Sequence, residues 1–272
     1  MNTHKPMIIY GTAWKKDQTA RLVEQAIGLG FRAIDTACQP KHYHEAGVGA
    51  AVALCVQRGL NRSELYLQTK FTPLPGQNPR RLPYDPEATI GEQVRQSFHA
   101  SLTNLQTSYL DALLLHSPMP TAAQTLEVWQ VMEQLVQQGG VRQLGISNCY
   151  DLRQLRQLTD SATIKPAVVQ NRFYAETRYD REIRAFCREH GMVYQSFWTL
   201  TANPHLLSHP ILNALATTHR RTTAQILFRH LTQIGVTPLT GTTSPLHMRE
   251  DLEIADFELT QEENQAIHAL YA

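Results

Sequence analysis

The chain has 272 residues, a length that suits one large α/β domain or two small ones. Its formal net charge is +1 at pH 7, which argues against a nucleic-acid partner held by bulk electrostatics. No apolar run reaches the ~20 residues that a membrane-spanning helix needs. The four cysteines form no CxxC motif and the histidines form no HExxH motif. We therefore expect free thiols, a cytoplasmic location and no metal site.

Short apolar stretches alternate with longer amphipathic stretches along the whole chain. The short stretches predict strands at 7–11, 31–35, 65–70, 110–116, 141–147, 167–173, 192–197 and 235–241. The amphipathic stretches predict helices at 19–30, 45–59, 86–105, 121–139, 150–158, 179–191, 222–235 and 245–255. Because a helix follows every strand, we expect parallel strands joined by helical crossovers.

Eight strand–helix units without a linker predict an α/β protein, a (β/α)8 TIM barrel in a single domain over residues 1–272. A doubly wound sheet is the alternative, but it should carry GxGxxG after the first strand, and this chain has Gly11-Thr12-Ala13-Trp14 there. Glycines near helix ends predict left-handed caps, at Gly30, Gly59, Gly140, Gly191 and Gly235. Two long connections, 71–86 and 199–210, are predicted to shape the mouth of a pocket.

Four polar residues lie at or just beyond the ends of predicted strands: Asp35, Tyr43, Lys70 and His116. The carboxyl ends of parallel strands meet at one end of a barrel, so we expect these groups to converge. A lysine that ends an apolar strand is costly to bury unless a carboxylate faces it, and Asp35 is the predicted partner of Lys70. An acid, a phenol, an amine and an imidazole together can transfer protons.

A series of motifs from about residue 7 to residue 270 resembles the aldo-keto reductase superfamily. In chain order they are GTAW, FRAIDTA, HYHEAGVGAA, LYLQTK, LDALLLHSP, GISN, VVQNRFY and DFELT. The resemblance implies an oxidoreductase on a (β/α)8 barrel that transfers hydride between NADP(H) and a small-molecule carbonyl, with NAD(H) as the other candidate cofactor. It implies that Asp35, Tyr43, Lys70 and His116 are the catalytic residues.

The same resemblance assigns binding roles. Ser147, Asn148 and Gln170 match the groups that hold the nicotinamide carboxamide, and Phe197 matches the aromatic residue stacked on its ring. The stretch from Gly241 to Asp251 matches the segment around the adenosine phosphate, with contacts expected from Thr242, Thr243, Ser244, His247 and Glu250. Thr12 and Asp35 are further expected cofactor contacts. Trp14 and Trp198 are expected to wall the substrate site beside Tyr43 and His116.

Two departures from the family pattern stand out. The family usually places its tyrosine five residues after the aspartate, whereas Tyr43 follows Asp35 by eight. The family also carries a lysine and an arginine around the 2′-phosphate, at the positions of Gly241 and His247 here, so a smaller preference for NADP(H) is expected.

Two other functions stay open on the sequence alone. One is a nicotinamide-binding, redox-sensing regulatory subunit with little turnover, and the other is a barrel enzyme of unrelated chemistry. We expect no nucleic-acid or membrane partner, and a monomer or weak homodimer.

Overall fold

The computed structural model describes residues 6–271, in which eight parallel strands form a closed barrel. Each strand pairs with the next in chain order, and the first closes the barrel against the eighth. The strands are β1 (Ile9–Gly11), β2 (Ala33–Asp35), β3 (Tyr66–Phe71), β4 (Leu110–Leu115), β5 (Val141–Ser147), β6 (Val168–Arg172), β7 (Val193–Phe197) and β8 (Val236–Thr240). The predicted barrel is confirmed; residues 1–5 and 272 of the predicted domain lie outside the described residues.

Helices connect the strands and cover the barrel. They are α1 (Thr19–Leu29), α2 (Glu45–Gln57), α3 (Ile90–Leu105), α4 (Ala122–Gln137), α5 (Leu152–Ser161), α6 (Arg181–Glu189), α7 (Pro204–Leu207), α8 (Pro210–His219), α9 (Thr223–Gln233), α10 (Pro245–Leu252) and α11 (Gln261–His268). The sequence patterns missed α7, α8 and α11. The signal for α11 was present, because Thr260 and Glu263 form a capping box at its start.

The glycine caps are as predicted at four of five helix ends. Gly30, Gly59, Gly191 and Gly235 all have positive φ. The prediction for Gly140 is wrong, because the preceding Gly139 takes the left-handed conformation, with a φ of 79°. Gly140 is needed for close packing instead, since a Cβ there would lie 2.7 Å from the Phe98 ring.

Strand alternation divides the core between the barrel interior and the helix layer. On β4, Ala112 and Leu114 pack with Val168 of β6 in a small apolar cluster, whereas Leu113 and Leu115 belong to the large cluster that includes the buried helix faces. Trp129 of α4 is fully buried in that large cluster, as the helical pattern predicted.

The two long connections have different roles. Thr199, Leu200 and Thr201 of the second line a large cavity at the carboxyl ends of the strands, as predicted. The first folds back on itself, because the Tyr84 hydroxyl donates to the Thr72 carbonyl (2.8 Å). The Gln77 amide donates to the Cys38 carbonyl (2.8 Å), so this connection supports the loop after β2. Residues 71–86 do not line the cavity themselves, and they contribute to its mouth through that loop.

Candidate active site

A cavity of about 710 Å³ opens at the carboxyl ends of the strands. Asp35 ends β2, Tyr43 lies in the loop between β2 and α2, and His116 follows β4, yet all three side chains line this one cavity. Lys70 lies just beneath it, with a side chain that is 1% exposed. The four predicted catalytic residues are therefore brought together.

Asp35 and Lys70 form the predicted buried ion pair. The Lys70 amine donates to both carboxylate oxygens of Asp35, at 2.7 Å each, and to the Thr36 carbonyl at 2.9 Å. These three bonds use all the N–H groups of the ammonium, so Lys70 is fixed in place. Burial lowers the pKa of Lys70, and the Asp35 charge opposes that effect.

Three glutamines inside the barrel support this pair. The amides of Gln68 and Gln170 donate to Asp35 Oδ1, at 2.6 and 2.9 Å, and both also donate to the Gln195 oxygen at 2.9 Å. Gln195 donates back to Gln68 at 3.0 Å. Such a network is stabilising only when its members are bonded, as they are here. Gln68 and Gln195 were missed, although Gln68 lies two residues before Lys70 and must therefore share its side of the strand.

The expanded loop after β2 turns Tyr43 toward the other three residues. The Tyr43 and His42 amides both donate to the Gln39 carbonyl, at 3.1 Å, so the extra residues form a tight turn. The Tyr43 ring consequently lies 6.0 Å from the His116 ring, and its centroid is 5.4 Å from Lys70 Nζ. The eight-residue step from Asp35 is thus compatible with a position in the cavity.

The electrostatics of Tyr43 favour the protonated phenol. Burial, followed by the Asp35 charge, raises the pKa of Tyr43. Tyr43 therefore holds its proton at neutral pH, which suits a proton donor.

Thr72 determines the orientation of the His116 ring. Its hydroxyl lies 2.6 Å from His116 Nδ1. The roles of the two atoms follow the ring tautomer: with the ring proton on Nε2, Thr72 donates to Nδ1. Burial, followed by the charges of Lys70 and His42, lowers the pKa of His116 to about 3. His116 is thus a neutral ring that Thr72 holds at Nδ1.

The residues predicted to hold a nicotinamide lie side by side in the cavity wall: Ser147, Asn148, Gln170 and Phe197. Their donors have protein partners, since Ser147 donates to the Gln170 carbonyl (2.7 Å) and the Asn148 amide donates to the His116 carbonyl (2.8 Å). A ligand is therefore not needed to satisfy those donors. The side-chain oxygen of Gln170 (Oε1) makes no hydrogen bond within the described residues and is available to a ligand.

The predicted phosphate segment runs away from the cavity along α10. Gly241 and Thr242 line the cavity, whereas Thr243, Ser244, His247, Glu250 and Asp251 extend beyond the lining residues. Ser244 caps α10 by accepting from the His247 amide at 3.4 Å. Burial raises the pKa of Asp251 to about 6. Thr12 is not among the residues that line the cavity, and its hydroxyl donates to the Asp35 backbone carbonyl at 2.9 Å.

Lys15 lies beside Gly241, a position for which the sequence indicated no cation. Its amine contacts the Gly241 carbonyl, and a Cβ placed on Gly241 would be 3.6 Å from it. Lys15 also lines the cavity. A lysine from the loop after β1 therefore lies beside position 241, although position 241 itself carries no side chain.

Trp14 and Trp198 both line the cavity. They are 58% and 49% exposed, which is unusual for such large apolar side chains. The Trp14 ring stacks on His42 of the expanded loop, with centroids 3.8 Å apart. Trp14, Asn148 and Trp198 all have positive φ, at 64°, 53° and 56°. Bulky residues adopt this conformation at a cost, and such strain concentrates at functional sites.

Several residues of the cavity wall were not identified from the sequence. They are Gly11, Ala13, Lys15, His42, Arg172, Phe228, Leu239 and Thr240. Arg172 had a usable signal, because it follows Gln170 by two on β6 and so points to the same side. The apolar residues carried none, because nothing distinguishes them from core residues.

Within residues 6–271, no cluster of His, Cys, Asp and Glu is arranged to hold a metal ion. In the same range, no helix combines the length and apolar character needed to cross a membrane. All four cysteines are buried and unpaired, and burial raises the pKa of Cys149 to about 12, which makes it an unreactive thiol.

A closed (β/α)8 barrel with a tyrosine, a neutral histidine and a buried lysine–carboxylate pair at its mouth defines a class of barrel proteins equipped for proton transfer. The model of the aldo/keto reductase family matches residues 7–272. The chain belongs to this family, whose members reduce carbonyls to alcohols with nicotinamide cofactors.

Individual relatives agree with that assignment. The chain is 30% identical to a glyoxal reductase of Bacillus subtilis, with 93% of this chain and 84% of the relative covered. It is 30% identical to aldo-keto reductase family 1 member A1 of Xenopus tropicalis, with 97% and 85% covered. The crystal structure of an aldo-keto reductase from a Medee basin deep-sea metagenome library superposes with a TM-score of 0.84 at 25% identity, covering 99% of this chain and 92% of that one.

Proposed function

We propose that the protein is an NADP(H)-dependent reductase that converts an aldehyde or ketone to an alcohol, or catalyses the reverse reaction. The observation that supports this most directly is the convergence of Tyr43, His116 and the Lys70–Asp35 pair on one cavity. A general acid and a hydrogen-bond donor beside the same space are what carbonyl reduction requires of a protein.

The residues around the cavity fit a nicotinamide dinucleotide. The unbonded side-chain oxygen of Gln170 suits the N–H groups of a carboxamide, and the Phe197 ring offers a flat apolar face. Lys15 and the first turn of α10 suit the phosphates, because an amine and backbone N–H groups both favour anions. When bound, the cofactor supplies the hydride.

Tyr43 is the proposed general acid. Its phenol gives a proton to the carbonyl oxygen as that oxygen becomes negative, so the oxygen ends as a hydroxyl. The raised pKa of Tyr43 keeps this proton available at neutral pH. Lys70 is proposed to position the Tyr43 ring, since its Nζ lies 5.4 Å from the ring centroid and Asp35 holds it there.

His116 is proposed to orient the substrate. With Nδ1 bonded to Thr72, the Nε2–H is the group free to donate to the carbonyl oxygen. A neutral imidazole donates this hydrogen bond without competing with Tyr43 for the proton transfer, because the lowered pKa of His116 makes it a weak base.

The experiment that tests this function separates binding from turnover. NADPH and NADH are titrated while tryptophan fluorescence is recorded, because Trp14 and Trp198 lie at the cavity mouth. NADPH oxidation is then followed with a panel of aldehydes. We expect quenching by NADPH at lower concentration than by NADH, and turnover of at least one aldehyde.

Two outcomes would contradict the proposal. Quenching by NADPH without turnover of any aldehyde would support the regulatory subunit. A lack of response to both nucleotides would support a barrel enzyme of unrelated chemistry.

A further inference from the structure

Arg172 is a partly buried arginine whose guanidinium has no acceptor in residues 6–271. Its backbone N–H donates to Tyr150, but none of its side-chain N–H groups makes a hydrogen bond, and its Nε atom is fully buried. A buried donor without a partner costs free energy that a folded protein rarely leaves uncompensated. This side chain lines the cavity described above.

The other partly or fully buried arginines of the described residues show how unusual this is. Each of them donates to a protein oxygen; they are Arg62, Arg95, Arg184, Arg221 and Arg229. Several of these acceptors are carboxylates. Arg229 also has a fully buried Nε without a partner, but its Nη2 donates to Glu258. Arg172 differs because neither of its terminal nitrogens, Nη1 and Nη2, has an acceptor within residues 6–271, so both are available to a ligand in the cavity.

Two aromatic rings hold the guanidinium in place. Its carbon lies 4.1 Å from the centroid of the Trp198 ring and 5.1 Å from that of Tyr174. Stacking restrains the plane of the group but does not use its N–H bonds, which point outward from the plane's edge. Trp198 adopts a strained φ of 56° in the position that makes this stack. A restrained, unbonded fork is suited to bind a carboxylate through two hydrogen bonds.

Arg172 and His116 line the same cavity. Their backbones are also linked, because Tyr150 accepts from the Arg172 backbone N–H and donates to Asn148, whose side chain bonds to the His116 backbone carbonyl. The Arg172 guanidinium takes no part in these contacts. The predicted phosphate segment begins at Gly241 after β8, beside a different cation, Lys15.

We propose that Arg172 selects carbonyl substrates that carry a carboxylate, such as oxo acids and carboxylated aldehydes. This proposal rests on the proposed carbonyl reduction and names its substrate class. Arg172 would bind the carboxylate while Tyr43 and His116 contact the carbonyl oxygen.

The test compares two aldehydes that share a ring and a reacting group: 4-carboxybenzaldehyde and its neutral methyl ester. We expect the wild type to prefer the acid. Replacing Arg172→Met should lower kcat/KM for the acid about 30-fold or more, as the loss of a charge-assisted bidentate pair implies, with little change for the ester. The kcat/KM of Arg172→Lys for the acid should lie between those of the wild type and Arg172→Met, since lysine keeps the charge but lacks the planar guanidinium.

A matched control and two binding measurements complete the design. Arg156→Met removes an arginine that also stacks on a ring, that of Phe186 (5.6 Å), but is not among the cavity-lining residues, and it should change nothing. NADPH affinity should be unaffected in all three variants. Calorimetry with benzoate and benzamide should show that only benzoate binding depends on Arg172.

The outcomes that would overturn the proposal are distinct from failure of carbonyl reduction. If Arg172→Met lowers kcat/KM for the acid and for the ester by the same factor, Arg172 does not recognise the carboxylate. If it weakens NADPH binding and leaves the acid-to-ester ratio unchanged, the anion is a phosphate of the cofactor. If the wild type reduces neither aldehyde, the wider aldehyde panel decides whether carbonyl reduction fails, and the calorimetry still decides whether Arg172 binds a carboxylate.

Discussion

The two ends of the barrel both carry buried carboxylates and cations, but they use them differently. At the amino ends of the strands, Asp111 accepts from Arg62 and Arg142, at 2.9 Å each, and from the Leu67 amide at 2.9 Å. Both guanidiniums lie 4.2 Å from the Tyr109 ring centroid, and Arg62 also donates to backbone carbonyls. Every charged group of this cluster, formed by Arg62, Tyr109, Asp111 and Arg142, has protein partners.

At the carboxyl ends, charged and polar groups remain without protein partners. Lys70 and Asp35 are fully bonded, yet within residues 6–271 the Tyr43 hydroxyl, His116 Nε2 and the Arg172 guanidinium have no hydrogen-bond partner. The comparison teaches that burial and charge alone do not mark a functional site. Groups whose bonding is complete stabilise the fold, whereas restrained groups with free donors are available to a ligand.

The largest expected effect comes from Tyr43 at the carboxyl end. Replacing Tyr43→Phe removes the proposed acid and keeps the ring, so carbonyl reduction should fall by about three orders of magnitude while the NADPH dissociation constant stays nearly constant. The same substitution at the other end, Tyr109→Phe, serves as the control and should leave turnover intact. Near wild-type turnover by the Tyr43 variant would exclude Tyr43 as the acid.

Asp111 offers the converse test at the amino end. Replacing Asp111→Asn leaves Arg62 and Arg142 without their carboxylate, and we expect the free energy of unfolding to fall by about 3 kcal/mol. Urea unfolding measures this loss, and kcat of the folded fraction should be unchanged. A variant with normal stability but reduced kcat would show that the two ends are not separable in the way proposed.

A smaller effect is expected from Thr72, which positions His116. Thr72→Val keeps the shape and removes the hydroxyl, so the tautomer of His116 is no longer fixed and kcat/KM should fall about tenfold, the equivalent of one net hydrogen bond. Thr72→Ser should restore it. If the serine variant is as slow as the valine variant, packing by the Thr72 methyl group is the more important contribution.

The smallest expected effect concerns cofactor affinity and pH. Because burial raises the pKa of Asp251 to about 6, this carboxyl is largely neutral below that pH and becomes negative above it. A negative charge near the predicted phosphate segment repels NADPH, so affinity should be about threefold stronger at pH 5.5 than at pH 7.5.

Dissociation constants across that pH range test the role of Asp251. Asp251→Asn should remove the pH dependence that Asp251 contributes, and NADH, which lacks the 2′-phosphate, should depend less on pH. A flat profile for wild-type NADPH binding would contradict this contribution.

The sequence by itself determined the barrel and most of the catalytic set. Apolar strands followed by amphipathic helices repeat eight times, and parallel strands with short crossovers close in only a few ways, so Asp35, Lys70 and His116 had to meet at one end. Tyr43 was within reach of that end, but its place in an expanded loop depended on a turn closed by Gln39, whose geometry local preferences do not specify.

Only the tertiary structure decided which groups are left to bind a ligand. Lys15 and Gly241 are far apart in sequence, and only closure of β1 against β8 brings them into contact. Whether Arg172 finds an acceptor depends on every neighbouring loop, and no pattern within β6 can report it. Hydrogen bonding is decided by distances of a few tenths of an ångström between residues remote in sequence, whereas secondary structure follows from periodicity that a single segment contains.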